Sequence, residues 1–365
     1  MMNKPVSLYI HIPFCKSKCP YCDFYSARPE EDDVFDRYLA ALCARLAVCG
    51  EKYGERLLHT VYFGGGTPSV FGAKRLCRVL EKVKEQFNVA ENAEITTECN
   101  PADVDVSFFE TLKRGGFNRI SMGMQSANEA ELKILGRRHT AETVREAVKA
   151  AREASIDNVS VDLMLGLPNS SLETLKSSID FCAALEADHV SAYILKIEPG
   201  TPFAKQELNL PDEDGTADQY LFAVNELKKH GYDQYEISNF ARPGKESRHN
   251  LQYWRCGEYL GLGPAAHSFM EGRRFYFPRD LEGFFNGNAP TDDGAGGGFS
   301  EFAMLSLRLT EGLQRKICET RFENGGALFD GVLEGCKHLP KNLIHADHEL
   351  SLIHISEPTR RSYIS

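Results

Sequence analysis

The chain has no surplus of positive charge: 42 Lys and Arg stand against 52 Asp and Glu, a formal net charge of −10. A nucleic-acid binder needs Lys and Arg to replace the counterions on phosphates, and no basic stripe supplies them locally, so that class is set aside. No apolar run approaches the roughly 20 residues that span a bilayer, so stable membrane insertion is not expected. The N-terminus passes straight into Pro5-Val-Ser-Leu-Tyr-Ile-His with no signal peptide, and a cytoplasmic protein is expected. The 11 cysteines are odd in number and fall largely in helical stretches, as Cys43, Cys49, Cys77 and Cys182 do, so no disulfide framework is indicated. There is a single tryptophan, Trp254.

What is present is an alternation. Short runs rich in Val, Ile, Tyr and Thr, at about residues 6–12, 59–63, 94–98, 118–122, 158–164 and 189–195, are separated by amphipathic stretches at 33–53, 72–88, 102–115, 127–154 and 171–186. Strands alternating with helical patterns indicate βα units and a parallel sheet. Six such units predict an α/β fold with a partial (βα)6 barrel over residues 1–205. Beyond 205 the alternation fades, and a smaller, mostly helical C-terminal domain is expected over 206–348. Residues 286–299, rich in Gly, Asn and Asp, read as a flexible loop.

In βα barrels the chemistry gathers at the C-terminal ends of the strands. The first strand runs into Cys15, Cys19 and Cys22, spaced C-x-x-x-C-x-x-C. Three thiolates leave one iron of a [4Fe-4S] cube open to an outside ligand. No second Cys or His pair lies near to close a structural zinc site, although zinc completed by His11, or chance spacing of core cysteines, also fits the spacing. Strand two ends in Gly64-Gly-Gly-Thr-Pro68, whose glycines allow a backbone to approach a ligand closely. Later strand ends carry Glu98, Gln125 with Arg137 one helix on, Asp162 and Lys196. Each alone is ordinary decoration; together they outline one polar cavity beside the cysteines.

These residues resemble the radical S-adenosylmethionine (SAM) enzymes, in which the amino and carboxylate groups of SAM complete the open iron and the cofactor is cleaved to a 5'-deoxyadenosyl radical. Within that superfamily the chain is similar to the oxygen-independent coproporphyrinogen III oxidase group, and inside it to the heme-chaperone HemW branch, over about residues 5 to 348. Tyr9-Ile-His-Ile-Pro-Phe-Cys15, Tyr62-Phe-Gly-Gly-Gly-Thr-Pro68, Arg119-Ile-Ser-Met-Gly-Met-Gln125, Asp162-Leu-Met-Leu-Gly-Leu-Pro168 and His249-Asn-Leu-Gln-Tyr-Trp254 carry the resemblance. It implies Cys15, Cys19 and Cys22 as cluster ligands, and SAM contacts from Tyr9, Tyr21, Gly65, Gly66, Thr67, Glu98, Gln125, Arg137, Asp162 and Lys196. It implies heme contacts from His249, Asn250, Tyr253 and Trp254, with His267 and Cys256 as weaker candidates.

Oxidases of the group carry a fourth cysteine two residues after the third, where this chain has Phe24, and a long segment ahead of the motif, where this chain has 14 residues before Cys15. Both departures point to a heme chaperone that passes heme to acceptor hemoproteins; the alternatives are the oxidase itself, decarboxylating coproporphyrinogen III, and a plain zinc or metal-storage module. His139 beside Arg137 and Arg138 reads as a helix-end residue. After His348 the chain departs from the group's pattern, and residues 349–365 are expected to be a non-native tail.

Overall fold

The computed structural model describes residues 5–29, 32–338, 344–347 and 352–355. Its centre is a parallel run of six strands: β1 (Val6–Ile12), β2 (Leu57–Gly65), β3 (Asn88–Cys99), β4 (Arg119–Gln125), β5 (Asn158–Leu165) and β6 (His189–Ile194), hydrogen-bonded in chain order. Each coincides with a run expected from the sequence, β4 starting one residue later and β6 ending one residue earlier than expected. Helices intervene, among them Asp33–Tyr53, Ala73–Gln86, Val106–Gly115, Ala141–Glu153 and Leu172–Ala184. The stretch read as one helix at 127–154 is broken into two, Glu129–Ile134 and Ala141–Glu153, around Gly136, whose φ of +64° no helix interior holds.

The residues beyond 205 contain helices as expected, and also six strands of the same sheet. On one edge β7 (Asp233–Glu236) and β8 (Asn239–Ala241) follow β6 antiparallel; on the other, β9 (Tyr259–Leu262) runs parallel to β1, followed by β10 (His267–Met270), β11 (Arg273–Tyr276) and β12 (Thr291–Ala295). The sheet therefore has twelve strands, and its end strands β12 and β7 do not pair with each other, so the barrel stays open. The 286–299 segment is not loop throughout, since β12 lies within it, pairing antiparallel with β11. Composition misled there because β12 is almost wholly exposed and is held by backbone pairing, not by apolar side chains. A small second sheet joins β13 (Leu313–Gln314), β15 (Leu352–Ile355) and β14 (Ile344–Asp347), so four residues of the expected tail are in a strand. Among the described residues no helix is long and apolar enough to cross a membrane.

The strands alternate with a period of two, as a half-buried pleat requires. On β4, Ile120, Met122 and Met124 are fully buried in the layer beneath the helices, whereas Arg119, Ser121, Gly123 and Gln125 line the barrel interior. The outer layer is close-packed around Phe14, whose ring meets Phe35 at 4.9 Å and Tyr38 at 5.3 Å edge-on. The first strand is tied at both flanks. Thr60 on β2 donates to Ser7 on β1 at 2.7 Å, and the Tyr38 hydroxyl donates to the carbonyl of His11.

The short helix Arg248–Trp254 is fastened to the barrel by Glu94 of β3. This buried carboxylate accepts the backbone N–H groups of Arg248 at 3.1 Å and His249 at 3.0 Å, two donors with no intrahelical acceptor. Replacing Glu94 by Ala strands both, and it should lower the unfolding free energy by about 3 kcal/mol. Urea denaturation checks this; a loss below about 0.5 kcal/mol would refute the anchoring role.

Candidate functional site

The cysteine loop leaves the end of β1 and is pinned at several points. The amide of Cys15 donates to Ala27 O at 3.1 Å, that of Ala27 to Pro13 O at 2.7 Å, and that of Cys22 to Cys19 O at 3.1 Å. Lys16 reaches Asp103 at 2.7 Å, and Arg138 meets the other oxygen of the same buried carboxylate at 2.5 Å. Asp23 pairs with Arg279 at 2.9 Å, tying the far side of the loop to the strands beyond residue 205.

Cys15, Cys19 and Cys22 are free thiols, partly exposed, on the wall of one cavity of about 670 Å³ that occupies the mouth of the barrel. Burial holds the thiols of Cys15 and Cys22 above their ordinary pKa, and the neighbouring cysteines push the same way. Cys15 Sγ lies 3.3 Å from the Thr67 hydroxyl, and Cys19 Sγ lies 3.5 Å from the Arg137 guanidinium. Among the described residues no three His, Cys, Asp or Glu side chains close to metal-ligand spacing, so the thiols share the wall without converging on one point. The donor set fits an iron-sulfur cluster in kind: soft sulfur ligands, three on one short loop, beside a cation that favours thiolates.

The turn after β2 needs its glycines. Gly65 has a φ of +111°, and a Cβ there would fall 2.4 Å from the His11 ring; one on Gly66 would fall 2.8 Å from the backbone of Phe14. The amide of Gly65 is held at 3.1 Å by Glu98, which also accepts from the Tyr62 hydroxyl at 2.9 Å. Opposite, Asp162 accepts from Ser121 at 3.3 Å. Arg137 donates to Gly123 O at 2.6 Å, and among the described residues its Nε has no acceptor. Burial, with the Asp162 charge second, pushes Glu98 up to about 7; burial pushes Asp162 up to about 6 against its hydrogen bond from Ser121 and the charge of Arg137. A positive charge between two such buried carboxyls would favour their ionised forms, so the pair suits a cationic ligand, and the ammonium and sulfonium of SAM are of that kind.

Of the candidates, Tyr21, Gly65, Gly66, Thr67, Glu98, Gln125, Arg137, Asp162 and Lys196 all line this cavity with the cysteines. Lys196 sits at its rim in an exposed pair with Glu198 at 3.1 Å. Tyr9 does not line it. It faces an adjoining cavity of about 540 Å³ together with His249, Asn250, Tyr253 and His267. The two spaces share Gly65, Glu98, Tyr62, Tyr193, Asn250, Phe24 and Arg279. Trp254 lines neither: it lies beneath the guanidinium of Arg308, 4.3 Å from the ring centroid. Cys256 is buried in a separate apolar cluster with Phe302 and Phe329. His139 is buried and donates from Nε2 to Met124 O at 2.9 Å.

The sequence reading missed Arg119, Ser160, His189, Ser191 and Tyr193, all on the floor or wall of the larger cavity. For two of them the signal was in the pleat, since Arg119 stands six residues from Gln125 and Ser160 two from Asp162; His189, Ser191 and Tyr193 are placed by the pairing of β6 with β5, which no local pattern shows.

Because Glu98 and Asp162 sit above their unfolded values of 4.5 and 3.8, the fold holds protons that the unfolded chain has released. Their favourable contribution is complete below about pH 4 and is lost as pH rises through 6 and 7. Glu98→Gln removes the ionisation and keeps one oxygen acceptor for either Tyr62 or Gly65, at a constant cost for the bond it loses, so the ionisation is read from the change with pH. The variant should therefore gain on the wild type by up to about 3 kcal/mol between pH 5 and 8, measured as the difference in unfolding free energy; a difference flat with pH would contradict the assignment.

A family model described as the radical SAM superfamily matches residues 9–182. The heme chaperone HemW of Haemophilus influenzae is 38% identical over 332 residues, covering 86% of this chain and 85% of that protein. HemW of Mycobacterium tuberculosis is 36% identical over 350 residues, 92% of this chain and 90% of that protein, and HemW of Escherichia coli is 39% identical over 319 residues, 85% and 84%. Among solved structures, the coproporphyrinogen III oxidase HemN of E. coli, described as a radical SAM enzyme, superposes with a TM-score of 0.84 over 98% of this chain and 87% of its own, at 23% identity, which is a likeness of fold.

Proposed function

The chain belongs to the radical SAM superfamily and, within it, to the heme chaperone HemW family, and from that premise we propose that it binds heme and passes it to acceptor hemoproteins in the cytoplasm. The observation that carries the reading is the length of the likeness, which runs past the barrel through the strands and helices that enclose the second cavity. In this proposal Cys15, Cys19 and Cys22 hold a [4Fe-4S] cluster, and SAM occupies the larger cavity. Once bound, the pair supplies one-electron chemistry on the sulfonium.

The chain's own residues bind and orient. Gly65 and Gly66 let the backbone approach the ligand, and Glu98 and Asp162 receive its positive charge. Arg137 holds the loop end near Cys19, and Tyr21 adds a ring to the wall beside the thiols. Phe24, 65% exposed at the position where the oxidases carry cysteine, puts an apolar ring at the mouth of both cavities. That ring suits a large planar ligand.

Anaerobic reconstitution with iron and sulfide, followed by hemin titration and an assay for decarboxylation of coproporphyrinogen III, separates the two activities known in this group. The expected result is saturable hemin uptake with one equivalent bound and no decarboxylation above the background of Cys19→Ala. Turnover of the porphyrinogen would make the protein an oxidase, and absence of hemin uptake would end the chaperone reading.

A further inference from the structure

We propose that the second cavity is the heme pocket and that the imidazole of His267, not that of His249, is the protein's ligand to the heme iron. This rests on the chaperone reading above and adds the place and the ligand. The cavity is walled by the rings of Tyr9, Tyr25, Tyr62, Tyr253, Tyr276 and Phe277. Its volume of about 540 Å³ lies in the ordinary range for small-molecule sites, and its aromatic walls suit a flat tetrapyrrole.

Three imidazoles line it, and two have no lone pair to give. His11 donates from Nε2 to the carbonyl of Tyr25 at 3.0 Å, which leaves Nδ1 to accept from the Tyr9 hydroxyl at 3.0 Å. For His249 the hydroxyl of Thr60 is already donating to Ser7, so Nδ1–H donates to Thr60 at 2.7 Å and Nε2 accepts from the Tyr253 hydroxyl at 2.8 Å. Both rings are buried, and ligating iron through either would break a hydrogen bond inside the protein.

His267 differs on every count. It opens β10, is exposed, and among the described residues neither ring nitrogen has a hydrogen-bond partner. Its ring plane is nevertheless set: Tyr276 is its cross-strand partner on β11, and the two rings stack with centroids 5.1 Å apart and planes 24° from parallel. At the same mouth the guanidinium of Arg279 pairs with Asp23 across an exposed contact, in reach of a carboxylate that would replace it. The propionates of heme are such groups.

Ligation forms one dative bond from a neutral imidazole nitrogen to ferric iron and displaces a water from it; no electron moves, and a proton leaves only if the ring starts protonated. An exposed ligand with no partner to satisfy afterwards also suits a carrier, since an acceptor's own ligand can displace it without unsatisfying the carrier's interior.

Hemin titration of the cluster-reconstituted protein, followed by its Soret band, tests this. His267→Ala should weaken hemin binding at least tenfold and shift the Soret band, with the cluster absorbance unchanged, and added imidazole should restore the band. His267→Cys should give a thiolate-type spectrum in place of the imidazole type. The proposal is overturned if His267→Ala binds hemin like the wild type, or if His249→Gln alone abolishes the band while its melting temperature is preserved. If the wild type itself takes up no hemin, the chaperone reading falls and this one with it.

Discussion

Glu98 is the group on which the arrangement of both cavities depends. Its two oxygens hold the Gly65 amide and the Tyr62 hydroxyl, so one carboxyl sets the glycine turn and the aromatic wall behind it. Tyr62 in turn stacks on His249 with ring centroids 5.0 Å apart, and Tyr9 lies over Tyr62 at 6.2 Å. Both cavities thus meet the carboxyl, and the smaller one also meets the rings it positions. Burial, with the charge of Asp162 across the barrel second, keeps the carboxyl reluctant to ionise, so a positive charge placed in the cavity would favour its ionised form.

The wider fold serves to hold that wall in place. Parallel strands deliver their C-terminal ends to one rim, so the cysteine loop, the glycine turn and three carboxylate- or amide-bearing strand ends arrive at one mouth without any long-range design in the loops themselves. The strands past residue 205 then curl round to the first strand: β9 runs parallel to β1, and β10 and β11 build the outer side of the second cavity. Arg279–Asp23 and the Glu94 anchor on helix Arg248–Trp254 fasten that addition to the barrel at both ends.

Much of this was legible before any coordinates. The six strands and the residues following them could be read because a βα barrel writes its sheet as regular apolar runs and its chemistry at their ends. What could not be read was anything set by pairing across long separations. His267 and Tyr276 meet only through the β10–β11 register, Tyr9 lines the second cavity because strands and a helix beyond residue 205 bring Tyr253, His267 and Tyr276 round to it, and Trp254 points off the site because its helix presents His249 and Tyr253 on the other side. A motif such as His249-Asn-Leu-Gln-Tyr-Trp254 states which residues travel together, not which of them has a free lone pair. That was decided by Thr60 and Ser7, 189 and 242 residues away in sequence, through a hydrogen-bond chain no local pattern encodes.

The central claim is that SAM and heme occupy two distinct spaces that share one wall. Its most direct test is the hemin affinity of the cluster-reconstituted protein with and without saturating SAM. Two spaces predict that both ligands bind at once, with the hemin dissociation constant changed by no more than about threefold, or about 0.7 kcal/mol of coupling through Glu98. A dissociation constant that rises in proportion to SAM concentration would mean that the two ligands compete for one space, and would contradict the account.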